Sequence, residues 1–141
     1  MKRLLAFGLA VLLATSVACR PEPRVPMIRL NSEHMEFTIT GDPLPPRARE
    51  LGGNRFKVVI RDRETRQPLD GGEGQIYAQN RDGLRSYAPL ERGEELGTYY
   101  ASLHFVTAGD WAMAVRFRRD STQPLEKVDW MQQVFPPTDE R

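Results

Sequence analysis

The sequence predicts an all-β fold, an antiparallel β-sandwich of about seven strands. Two observations carry this prediction. Apolar and polar residues alternate at a period of two in several short segments, which is typical of strands with one buried face. No stretch keeps the 3.6-residue period of an amphipathic helix, and turns rich in glycine and proline separate the alternating segments, as in a sandwich.

The first residues have the layout of a bacterial export signal. Lys2 and Arg3 precede an uncharged apolar run over residues 4–14, and small residues follow it. The run is shorter than the roughly 20 apolar residues that a transmembrane helix needs. We therefore assign residues 1–18 to a signal peptide and exclude them from the fold.

Cys19, directly after the predicted cleavage point, is the only cysteine. Its surroundings resemble a bacterial lipobox with Ser16 in place of the usual leucine, in which the cysteine is acylated and becomes the mature N-terminus. A lone cysteine excludes an internal disulfide, and lipid attachment would explain an unpaired cysteine at this position. The alternative is a free secreted protein with an incidental cysteine. Arg20, where an aspartate would signal retention in the inner membrane, favours the outer membrane, with the domain facing the periplasm.

The rest of the chain is close to electrically neutral. Removing the signal peptide takes two of the 20 basic residues and none of the 19 acidic ones. A nucleic-acid-binding domain would show a strongly basic face, so we expect no nucleic-acid partner. The length suits a single domain with a modest core. The predicted segments after the signal peptide are a lipidated cysteine and proline-rich tether (19–33), the sandwich (34–135) and a C-terminal tail (136–141).

The strand candidates follow one another along the chain. A proline cluster, GDPLPP, separates the first candidate from the second, because proline cannot donate to a strand ladder. In the second, NRFKVVIRD, Phe56, Val58 and Ile60 share one face, as in a half-buried strand. The candidates other than those in the central segment are residues 35–39, 54–62, 74–79, 84–90 and 126–134.

The central segment, LGTYYASLHFVTAGDWAMAVRFRR at residues 96–119, has the clearest alternation. We predict a β-hairpin with its turn at TAGD, where Gly109 adopts a positive φ angle. Both strands would then direct one set of side chains into the same core. That inward set is Tyr99, Ala101, Leu103, Phe105, Trp111, Met113, Val115 and Phe117.

This segment resembles the ending of the YtkA-like and FixH-like periplasmic domains. The matching residues are Gly97, Tyr99 or Tyr100, Leu103, Phe105, Ala108, Gly109, Trp111 and Val115. The upstream residues Asn54, Arg55, Phe56, Val58, Asp62, Pro68 and Leu69 resemble the family's opening. The resemblance covers residues 41–119. It implies an immunoglobulin-like fold in an exported or membrane-attached protein, with links in some members to the assembly of metal-containing or respiratory complexes.

The adjacent residues His34 and Met35 are the candidate metal site. Imidazole and thioether groups are ligands for soft ions such as copper. Because neighbours on a strand point to opposite faces, the alternative is a surface histidine beside a core methionine. Relatives in the resembled family often carry a Met-rich segment between the two halves, whereas residues 74–95 here contain no Met, His or Cys. The copper inference is weaker for that reason, and we expect no cofactor.

The outward side chains of the predicted hairpin are the candidate partner-binding surface. Tyr100 and His104 lie on the outer side of its first strand, and Arg116 and Arg118 on that of the second. A hairpin would join them into one aromatic and basic patch that suits an acidic partner or anionic lipid. A face that is only solvated is the alternative.

The C-terminal segment DWMQQVF adds two candidate contacts, Met131 and Phe135. Alternation predicts that Trp130 faces inward and Met131 outward. Exposed Met and aromatic residues are typical anchors of protein interfaces. The alternative is that the segment is only the last core strand.

These observations predict a non-enzymatic binding module. His104 lies two residues from Ser102, a separation of roughly 6 to 7 Å on a strand, beyond hydrogen-bond reach, and we assign no catalytic residues. We expect a lipid-anchored accessory or assembly subunit that docks on a membrane-embedded complex, such as an electron-transfer complex. The alternative function is a periplasmic carrier or chaperone for copper or another metal.

Overall fold

The structure, a computed structural model, describes residues 26–138. Nine strands lie in this range: β1 (Ile28–Asn31), β2 (Met35–Asp42), β3 (Asn54–Asp62), β4 (Glu73–Asn80), β5 (Arg85–Pro89), β6 (Glu91–Arg92), β7 (Thr98–Leu103), β8 (Gly109–Arg118) and β9 (Glu126–Val134). The predicted signal peptide and Cys19 lie outside the described residues. Within residues 26–138, no helix is long and apolar enough to cross a membrane.

The strands form two antiparallel sheets. One has five strands in the order β1-β2-β3-β7-β6, and the other has four in the order β5-β4-β8-β9. Without β1 and β5, this is the order of immunoglobulin-type sandwiches, in which the first, second, fifth and fourth strands face the third, sixth and seventh. The prediction of an antiparallel, immunoglobulin-like sandwich is confirmed.

Two strands were not predicted. β1 lies in the segment that we assigned to the tether, so the sandwich begins at Ile28 and not at residue 34. Ile28 and Leu30 are half-buried against the core while Arg29 is exposed, a pattern too short to stand out in the sequence. β6 has two exposed residues and exists through its pairing with β7.

The inward set predicted for residues 96–119 is confirmed. All eight of its side chains are at most 6% exposed. Phe56, Val58 and Ile60 of β3 are fully buried in the same core, together with residues of β2 and β4. Because successive strand residues point to opposite faces, the alternation in the sequence identified these core residues correctly.

The predicted hairpin is wrong. β7 pairs with β3 and β6 in one sheet, whereas β8 pairs with β4 and β9 in the other. The chain therefore changes sheets between Leu103 and Gly109 instead of turning back along itself. The two strands meet through their inward side chains, and Phe105 packs edge-on against Trp111 with 5.0 Å between ring centroids.

The loop between β2 and β3 joins the two sheets at one end of the sandwich. The Ala48 amide donates to the Phe135 carbonyl (2.8 Å), and the Arg49 amide donates to the Phe105 carbonyl (2.8 Å). The fully buried Asn54 holds this loop. Its Oδ1 accepts from the Arg47 amide (2.7 Å), and its Nδ2 donates to the Arg47 carbonyl (2.9 Å).

We predict that Asn54→Ala lowers the free energy of unfolding by about 3 kcal/mol, because two partly buried backbone groups of Arg47 lose their partners. Urea unfolding followed by tryptophan fluorescence measures the change. Gln133→Ala, on an exposed position of β9, is the control and should cost less than about 0.5 kcal/mol. Equal stability of the two variants would contradict this role of Asn54.

Candidate partner-binding groove

The predicted contact residues do not form one surface. Tyr100 belongs to the five-stranded sheet and His104 directly follows β7, while Arg116 and Arg118 belong to the four-stranded sheet. The change of sheets after β7 separates the two pairs onto different sides of the sandwich. Lys57, on β3, is the strand partner of Tyr100.

Arg116 and Met131, by contrast, lie on the same face. A groove of about 480 Å³ runs over the outer face of the four-stranded sheet, and both residues line it. The strand register explains its shape. Ala114 lies between Tyr77 of β4 and Asp129 of β9, and Ala112 lies between Gln79 and Met131. The two small residues of β8 form a floor between larger side chains.

The groove is apolar along its floor and charged at both ends. Lys127 lies next to Arg116 on the neighbouring strand, and Arg81 and Asp110 line the other end. Within the described chain, Lys127 pairs with Asp129 at 3.2 Å, and no ion pair engages Arg116. Met131 is 67% exposed. The arrangement can accept an apolar side chain over the alanines and an acidic group beside Arg116.

Sequence reasoning missed the floor of the groove. Ala112 and Ala114 occupy outward positions in WAMAV, between the large inward residues Trp111, Met113 and Val115. Small residues at outward positions of a long central strand are the signal that would have identified a depression. Their neighbours come from strands that only the sheet order brings beside them.

The remaining predicted contacts lie elsewhere. The Arg55 guanidinium stacks over the Tyr100 ring, 4.2 Å from its centroid. His104 is exposed, and its amide donates to the Ser86 hydroxyl (3.1 Å). Arg118 pairs with Glu73. Phe135 is 38% exposed at the end of β9, far along the sheet from the arginines.

His34 and Met35 do not present a joint metal site. Met35 is 1% exposed and belongs to the core, whereas His34 is exposed at the turn between β1 and β2. The structure agrees with the alternative interpretation, a surface histidine beside a core methionine. Residues 26–138 contain no group of three or more His, Cys, Asp or Glu residues that could hold a metal ion.

His34 instead helps to bind Glu126. One carboxylate oxygen accepts from the Ser32 hydroxyl (2.6 Å) and the His34 amide (2.9 Å), and the other lies 3.3 Å from the imidazole Nδ1. Burial alone raises the pKa of Glu126, but these hydrogen bonds outweigh burial and hold the pKa below its usual value of 4.5. The contact ties the turn after β1 to β9 of the opposite sheet.

Neither a protein-family profile nor a curated protein sequence matches the chain. A solved structure does: a DUF4426 family protein from Pseudomonas aeruginosa PAO1, with a TM-score of 0.60 and 10% sequence identity. The match covers 79% of this chain and 97% of that one. At such low identity the likeness shows a shared fold alone.

We predict that Glu126→Gln lowers the free energy of unfolding at neutral pH by about 1 to 2 kcal/mol, since hydrogen bonds to a charged group are lost. A carboxyl whose pKa is lower when folded stabilises the protein above its unfolded pKa, near 4.5. The difference from wild type should therefore shrink as the pH falls below that value.

Urea unfolding between pH 7 and pH 3 measures this difference. Asp129→Asn, which alters an exposed carboxylate on the same strand, is the control and should stay near wild type throughout. A constant gap between Glu126→Gln and wild type over this range would contradict the prediction.

Proposed function

We propose that this protein is a non-enzymatic, lipid-anchored module of the bacterial cell envelope that docks on a membrane-embedded protein complex from the periplasmic side. The observation that carries the proposal is the groove on the outer face of the four-stranded sheet. Acylated Cys19 holds the domain at the membrane, since two or more acyl chains give stable anchoring without help from a basic patch. The groove is then free to bind a neighbouring protein.

The groove suits a protein segment better than a small molecule. Small-molecule sites are concave and bury most of the ligand surface, whereas this groove lies open on a sheet face, and its lining residues Ala112, Asp129 and Met131 are exposed. An apolar centre with a polar and charged rim is the usual anatomy of a protein interface. An apolar side chain of the partner would lie over Ala112 and Ala114, with an acidic group facing Arg116.

The resemblance of residues 41–119 to the YtkA-like and FixH-like periplasmic domains supports the docking on a membrane-embedded complex. That resemblance implies an exported domain, with links in some members to the assembly of metal-containing or respiratory complexes. The shared fold of the DUF4426 family protein adds no function to this argument. Metal carriage is the weaker proposal, because Met35 lies in the core and cannot join His34 at the surface.

We predict that Met131→Asp abolishes capture of the partner complex, because a carboxylate replaces the apolar wall of the groove. The measurement is affinity purification of the tagged protein from membranes that are solubilised in a mild detergent. Leu96→Asp is the matched control, since Leu96 is 64% exposed, close to the 67% of Met131, and lies outside the groove. The control should capture the complex as wild type does. Purification of the wild-type protein alone would overturn the docking function.

We predict that Cys19→Ser releases the protein from membranes into the soluble envelope fraction, because the substitution removes the acylated thiol. Fractionation followed by immunoblotting measures the distribution. Ser16→Leu, which restores the usual lipobox residue, is the control and should remain with the membranes. Retention of Cys19→Ser in the membrane fraction would show that protein contacts, not lipid, hold the domain there.

A further inference from the structure

One end of the sandwich exposes apolar side chains on neighbouring loops. We call it the apolar end and define it by Leu51 in the loop between β2 and β3, Val106 between β7 and β8, and Phe135 after β9. Their exposed fractions are 86%, 53% and 38%. Exposed apolar residues that collect in one region are a sign of an interaction surface, whereas scattered ones are ordinary.

Backbone hydrogen bonds bring these loops together. The Arg49 amide donates to the Phe105 carbonyl next to Val106, and the Phe135 amide donates to the Pro46 carbonyl (2.9 Å). The turn that carries Leu51 is closed by a bond from the Gly53 amide to the Glu50 carbonyl (3.0 Å). The three apolar side chains therefore project from loops that are bound to one another.

The chain enters the sandwich from the side of the apolar end. Ile28 pairs with Ile39 in an antiparallel register, so the residues before Ile28 run towards Asp42. Asp42 pairs with Arg55 at the start of β3, which is the apolar end. Ile39 is about 10 Å from Asp42 along the strand.

The length of chain before Ile28 limits how far this end can lie from an acyl group on Cys19. The intervening residues, fully extended, span at most about 30 Å. Asp42 lies about 10 Å along β2 from Ile39, the partner of Ile28, so the apolar end lies within roughly 40 Å of the acylated cysteine. The chain enters on the side of Ile28 that faces this end, whereas the opposite end, where β2 begins at Met35, lies on the other side of Ile28.

We propose that the apolar end rests on the bilayer, with Leu51, Val106 and Phe135 at the boundary between headgroups and acyl chains. This inference rests on the lipid anchor of the proposed function. The charges at this end are mixed, so the contact is apolar and not electrostatic. The charged residues there are Asp42, Glu50, Asp82 and Asp110 and Arg47, Arg49, Arg55, Arg81 and Arg85.

This orientation also determines the direction in which the groove faces. The strands then stand away from the bilayer, and the outer face of the four-stranded sheet looks sideways along the membrane. A groove that faces this way meets the periplasmic part of a neighbouring membrane protein. The partner would therefore approach in the plane of the membrane.

The test compares labels at Val106→Cys and Leu125→Cys in the full-length, lipidated protein. Both native residues are 53% exposed, but Leu125 lies between β8 and β9 at the opposite end. Acylation blocks Cys19, so a thiol-reactive fluorophore labels only the new cysteine. The protein is reconstituted in vesicles of phosphatidylethanolamine and phosphatidylglycerol that contain a nitroxide-labelled lipid.

We expect quenching by the nitroxide lipid to be at least about threefold greater at position 106 than at position 125, because interfacial residues lie within a few ångström of the probe. Equal quenching on vesicles that float with the protein would overturn the inference and leave the anchor intact. A label at 106 that is shielded from iodide yet not quenched by lipid would also overturn it, since protein would then cover this end. Failure of the protein to float with the vesicles would overturn the anchor and the inference together.

Discussion

Two aromatic contacts between the sheets hold this sandwich together. Phe105 packs against Trp111 near one end of the core, and Tyr99 packs against Phe117 near the other, each edge-on with ring centroids about 5 Å apart. Such pairs add stability beyond the burial of their area. One continuous segment supplies all four rings, and the chain changes sheets between β7 and β8. The positions of the surface residues follow from that change.

The change of sheets determines which residues can act together. It places the outward residues of β7 and those of β8 on different sides of the molecule, so Tyr100 and Arg116 cannot contact the same part of a partner. β8 becomes a central strand between β4 and β9. Its large residues fill the core, while Ala112 and Ala114 face outward and leave space for the groove. One face of β8 thus contributes to the core, and its opposite face forms the floor of the candidate site.

The loop between β2 and β3 connects this core to the proposed membrane contact. Asn54 binds the loop from inside the protein, and the backbone of the loop pairs with Phe105 after β7 and Phe135 after β9, which follow strands of different sheets. The same bonds close the end of the core and present Leu51 to solvent. The buried side chain of Asn54 therefore helps to position a loop whose tip, Leu51, is exposed. Its hydrogen bonds follow the general rule that buried polar groups have partners.

The alternation of apolar residues was enough to predict the all-β fold and the inward set, because side chains on a strand alternate with a period of two whatever the strand pairs with. It could not identify the partners of each strand, since ladder hydrogen bonds join backbone groups that all residues except proline share. A hairpin with a three-residue loop would also set Phe105 beside Trp111 and Tyr99 beside Phe117, so the same side-chain contacts fit both arrangements. Only the tertiary structure decided that β7 pairs with β3 and β8 with β4 and β9. That pairing separated the predicted surface and assembled the groove from residues distant in the sequence.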